Sequence, residues 1–139
     1  MTNIDPHPSE VLATLRLRGP KTRIAVAGAS ENPDKYGNII VRNLKAKGYT
    51  VLPVNPSSSA IEGLKVAHSL AEVEKPVDIL VMVTPPSVTL GVLKEAARLG
   101  VAAVWLQDGS FDDAVLEYAR TAPFKTVHHA CVMVMSGFP

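Results

Sequence analysis

The segment Val77-Asp78-Ile79-Leu80-Val81-Met82-Val83 constrains the fold more than any other part of this chain. It is strand-length and almost unbroken in apolar character. A strand with one wet face alternates apolar and polar residues. A continuous apolar run needs cover on both faces, as in a parallel sheet between layers of helices.

The rest of the chain agrees with that requirement. Apolar runs at Arg23–Ala27, Tyr49–Val54 and Val101–Leu106 also read as strands, and Thr126–His129 as a short final one. Between them lie segments with helical spacing. Residues 9–18 carry Val11, Leu12 and Leu15 behind Ser9 as N-cap, and Gly19-Pro20 stops them. Tyr36–Lys47 is closed by Gly48; Ser87 caps a helix running to Leu99, closed by Gly100; Asp112–Thr121 is the last helix. Ile61–Val66 reads as a short edge strand, and Ser69 as the cap of a brief helix, Leu70–Glu74. Regular strand–helix alternation implies right-handed crossovers and helices on both faces. The expectation is one α/β domain over residues 1–139, a three-layer, Rossmann-like, doubly wound parallel sheet.

Composition narrows the partners. The 139 residues carry a formal net charge of +1, so no global field draws nucleic acid or anionic lipid. The longest apolar stretches are strand-length, far short of a membrane span. Met1–Pro6 has neither a basic start nor an apolar signal core, so the expectation is a cytoplasmic protein without nucleic-acid or membrane partners. A single cysteine, Cys131, excludes an intramolecular disulfide framework.

In a doubly wound sheet, ligands bind beyond the carboxyl ends of the strands, where strand order reverses. Here those ends are Gly28-Ala29-Ser30, Pro53-Val54-Asn55-Pro56, Val83-Thr84-Pro85-Pro86, Gln107-Asp108-Gly109 and His129-Ala130-Cys131. They are rich in Gly, Pro and small polar residues and nearly empty of acid–base groups. Such a site positions a ligand and does little proton chemistry. Gly28 permits close backbone approach, Ser30 offers a hydroxyl, and the helix start at Tyr36-Gly37-Asn38 offers free N–H groups and a positive dipole end. The loop reads GASENPDKYGN and is not a G-x-G-x-x-G fingerprint, so both glycines equally suit tight strand–helix packing. Lys35 suits a phosphate or plain solvation.

The second strand separates the candidate nucleotides. A domain that binds NAD usually ends that strand in an acidic residue for the ribose hydroxyls. This one ends Leu52-Pro53-Val54-Asn55-Pro56, without a carboxylate. His128 and His129 alternate along a strand, which puts their rings on opposite faces and off a shared metal. Trp105 and Cys131 read as core residues, and Asp108 as part of an ordinary turn.

In order along the chain, IAVAGASENPDKYGNIIVRNLKAKGYTVLPVNP, DILVMVTPP and VAAVWLQDG resemble the small stand-alone CoA-binding proteins. These in turn are similar to the N-terminal domain of the succinyl-CoA synthetase α subunit. The likeness spans residues 15 to 131. It implies CoA or acyl-CoA as ligand, held by Gly28, Ala29, Ser30, Lys35, Gly37 and Asn38. Pro53, Val54, Asn55, Pro56, Val83, Thr84 and Pro85 would surround the adenosine part, with the pantetheine arm running toward Gln107 and Gly109. Two departures stand out: relatives commonly have Lys after N-P, where this chain has Ser57, and end in N-R-C or D-R-C, where it has His128-His129-Ala130-Cys131. The synthetase's phosphorylated histidine belongs to a second domain, so the likeness implies binding without catalysis. The alternatives are an NAD(P)-binding oxidoreductase domain and a subunit of a multi-chain acyl-CoA synthetase, and the partners expected besides CoA are a protein partner or a second copy of the chain in a homo-oligomer.

Overall fold

The structure is a computed structural model that describes residues 5–137. The stretch Met1–Ile4, read above for targeting signals, lies outside the described residues. Five parallel strands form the sheet: β1 (Arg23–Ala27), β2 (Thr50–Val54), β5 (Ile79–Met82), β6 (Ala103–Leu106) and β7 (Lys125–His128), in the order β2-β1-β5-β6-β7. The registers Ala27↔Val54, Ala27↔Met82, Met82↔Leu106 and Leu106↔His128 bring all five strand ends level on one edge. Strand order reverses between β1 and β5, which makes that gap the switch point.

Cover on both faces is present. Successive side chains of β5 go to opposite layers: Ile79 and Val81 join Ile24, Val26, Trp105 and Val127 under α1 (Ser9–Arg16), α2 (Tyr36–Ala46) and α5 (Val132–Met135). Leu80 and Met82 join Ala25, Val104 and Leu106 under α3 (Pro86–Leu99) and α4 (Asp113–Thr121). All four β5 residues are fully buried, each large apolar side chain contributing about 1.5–3 kcal/mol by leaving water.

Several local expectations are corrected. Ser9 and Ser87 lie inside the first turns of α1 and α3; the caps are Pro8 and Pro85, with no side-chain hydrogen bond. The inner face of α3 is Thr89, Leu93 and Ala96, while Val88 is exposed. Residues 61–66 do not extend the sheet. Glu62 and Gly63 both adopt positive φ and fold the chain into a hairpin of β3 (Ala60–Ile61) and β4 (Leu64–Lys65). Only Ala67 then bridges to Val54 on edge strand β2, where Pro53 is tolerated. The brief helix is a single 3-10 turn, Leu70–Glu72, which Ser69 does not cap through its side chain. Helix α5 had no sequence signal, being four residues long. Lys47 Nζ and the Arg18 guanidinium hold its end through Met133 O, Ser136 Oγ and Ser136 O.

The two final histidines also depart from expectation. His129 lies past the end of β7 at φ 57°, so its ring folds back beside that of His128, with the Nδ1 atoms 2.5 Å apart. Phe111 meets both rings edge-on.

Candidate functional site

The turn after β1 is built by interlocking glycines. Gly28 has φ 93°, and a Cβ there would stand 3.0 Å from the Val83 carbonyl carbon and 3.1 Å from Thr84 N. A Cβ on Gly37 would overlap the Gly28 carbonyl oxygen. The first turn of α2 therefore sits directly on the end of β1, and any larger residue at 37 would push them apart. Tight strand–helix packing accounts for both glycines. It also fixes where the α2 N-terminus points.

Two asparagines hold the loop in shape. Asn38, fully buried, donates through Nδ2 to Ser30 O (2.9 Å) and Glu62 Oε2 (3.2 Å) and accepts from Arg42 Nε (2.7 Å). Asn55 donates to Ala29 O (2.8 Å) and accepts from the N–H groups of Ser57 and Ser58. Both amides are committed to the protein, so these residues shape the site from behind. Ser30 is different. Its Oγ accepts from Asn32 N at 3.1 Å, which leaves the hydroxyl proton free to donate outward. Lys35 is exposed at the α2 N-cap, and its carbonyl accepts from Asn38 N and Ile39 N. The N–H groups of Tyr36 and Gly37 have no partner among the described residues. A helix start with open N–H groups and a cation beside it favours an anion.

Next to this turn lies a cavity of about 380 Å³, lined by Tyr36, Val83, Thr84, Pro85, Gln107, Asp108, Gly109 and Cys131. It covers the carboxyl ends of β5, β6 and β7, and Tyr36 at the start of α2 brings it to the switch point between β1 and β5. Of the residues picked from sequence, Val83, Thr84, Pro85, Gln107 and Gly109 meet here. Gly28, Ala29, Ser30, Lys35, Gly37 and Asn38 form the adjoining loop, and Pro53, Val54, Asn55 and Pro56 lie beyond it at the end of β2, outside the cavity wall. Thr84 is pinned by a 2.8 Å bond between its hydroxyl and that of buried Thr89. Gln107 is buried, and its amide is oriented by Val132 N, which donates to Oε1 at 2.8 Å; Nε2 then faces Cys131 Sγ at 3.5 Å.

Tyr36, 63% exposed, was not singled out from the sequence, although a large aromatic opening a helix at the ligand edge is a usable signal. Cys131 is corrected from core residue to half-exposed wall residue. The reason is local: Trp105 takes the core position and donates Nε1–H to Ala130 O at 2.9 Å, which swings the next residue outward. Asp108 is the only carboxylate on the wall. A second carboxylate, from Glu31, reaches the end of β2 and accepts from Ser58 Oγ at 2.9 Å.

A parallel sheet with a backbone-lined loop and a cavity at its switch point defines a Rossmann-like nucleotide-binding domain. Residues 22–137 match the family model for the CoA binding domain, and this chain belongs to that family. It is similar to a conserved hypothetical protein from Pyrococcus furiosus, with 45% identity, coverage of 81% of this chain and 97% of that one, and a TM-score of 0.78. It is 27% identical to the uncharacterized protein YneT of Bacillus subtilis over 81% of this chain and 83% of YneT. An ADP-forming acetate–CoA ligase of Methanocaldococcus jannaschii is 29% identical over 84% of this chain, which spans only 18% of that ligase. The same domain family thus also forms part of acyl-CoA synthetases.

Proposed function

We propose that this chain binds coenzyme A or an acyl-CoA at the carboxyl ends of β1, β5 and β6, and performs no covalent chemistry by itself. The observation that carries the reading is the α2 start. Two open N–H groups, the Ser30 hydroxyl and Lys35 surround a turn that glycines keep narrow, beside a cavity of about 380 Å³. In this reading the Gly28–Asn38 loop takes the pyrophosphate, Pro53–Pro56 and Val83–Pro85 flank the adenosine, and the pantetheine arm enters the cavity toward Gln107 and Gly109.

Among the described residues, Asp108, Tyr36 and Cys131 on the cavity wall are not hydrogen-bonded to one another as an acid–base pair, which supports a binding role. A catalytic partner chain is compatible with it, since relatives carry this domain within larger ligases. Residence in the cytoplasm belongs to the same reading; among the described residues no helix is long and apolar enough to cross a membrane. Native mass spectrometry of freshly purified protein tests the assignment. A retained mass equal to CoA or an acyl-CoA is expected. Retention of a dinucleotide instead would refute the reading.

A further inference from the structure

The far end of the cavity carries information about the group that the ligand presents there. Among the described residues, the only charged one on the cavity wall is Asp108, and no Lys, Arg or His lines it. The one buried donor is neutral: Gln107, whose Oε1 is pinned by Val132 N, so Nε2 is the nitrogen directed at Cys131 and the cavity. Nε2 carries two protons, and the 3.5 Å contact to sulfur uses one of them weakly. Gly109 and the Cys131 thiol complete the wall around Gln107 and Asp108.

We infer that this end of the site selects thioesters whose acyl group is uncharged over those whose acyl group ends in a carboxylate. The inference rests on the proposed CoA reading. A neutral acyl carbonyl can accept from Gln107 Nε2 where the arm ends beside Gly109. A terminal carboxylate would find no cation and would face Asp108 instead. Selectivity of this kind is a difference of affinities, built here from one repulsive element. Asp108 is exposed, so the repulsion is partly screened.

The test is calorimetric titration of the full chain with CoA, acetyl-CoA, butyryl-CoA and succinyl-CoA at low and high salt. At low salt, succinyl-CoA should bind about two- to fivefold more weakly than butyryl-CoA, which has the same acyl length, and the gap should close as salt rises. Asp108→Asn should bring that ratio close to one, and Gln107→Leu should weaken both thioesters relative to CoA. Failure of CoA itself to bind would defeat the underlying reading and this inference with it. Binding of CoA with equal affinity for the succinyl and butyryl thioesters would overturn this inference alone, as would a ratio unmoved by Asp108→Asn.

Discussion

Ser57 and Glu31 set the charge at the end of β2, beside the Pro53–Pro56 segment proposed to flank the adenosine; the Lys that relatives commonly carry in place of Ser57 suits the ribose 3′-phosphate. Ser57 is exposed, with its N–H held by Asn55 Oδ1, and Glu31 brings a carboxylate to the neighbouring Ser58 hydroxyl. Neither attracts a phosphate. Introducing a cation by Ser57→Lys should therefore tighten CoA, by at most about 1 kcal/mol at so exposed a site, or roughly fivefold. Dephospho-CoA, which lacks the 3′-phosphate, should gain nothing. Parallel titrations of the variant check this; equal tightening of both ligands would mean that residue 57 does not face that phosphate.

At the scale of elements, the passage from β7 into α5 borders the candidate site at Cys131 and carries the His128–His129 pair, whose Nδ1 atoms are 2.5 Å apart. Burial, followed by the charges of His129 and His7, holds the His128 pKa below its ordinary value. The folded state then binds fewer protons than the unfolded chain once the pH drops below the usual histidine range. Stability contributed by keeping His128 neutral is present above that range, is lost as pH falls through it, and levels off below the lowered folded value. Melting temperature should accordingly decrease between about pH 7.5 and pH 5.5, and His128→Gln should flatten that part of the curve. An unchanged slope in the variant would remove His128 from the account. This loop also shows what was legible in the sequence. The strand positions were, because Ile79–Met82 and Ala103–Leu106 announce themselves by continuous apolar character, and with them the strand ends where the candidate site is proposed. The backward fold of His129 was not, since it depends on a positive φ that no residue pattern marked. The outward turn of Cys131 depends on a tertiary bond from Trp105, and the hairpin at Glu62-Gly63 on a turn without the usual Asn or Asp. Asn38 and Asn55 stand out by position as candidate contacts, whereas the bonds of their amides to the Ser30 and Ala29 carbonyls are visible only in the folded loop.

For the molecule as a whole, the fold and the family assignment leave one central choice, between CoA and a nicotinamide dinucleotide. Both suit a doubly wound sheet with an open helix N-terminus. The end of β2 divides them. Its Asn55 side chain is spent on the Ala29 carbonyl and the Ser57 and Ser58 N–H groups, and the strand offers no carboxylate of its own to the ribose hydroxyls. Glu31 approaches from the neighbouring loop, already bonded to Ser58. A net charge of +1 adds no general attraction for either anion, so local geometry decides the difference. Calorimetric titration of the same preparation with CoA and with NAD measures that choice directly. The account predicts a measurable heat and a saturable isotherm for CoA, with NAD binding more weakly or not at all. Tighter binding of NAD than of CoA would contradict it.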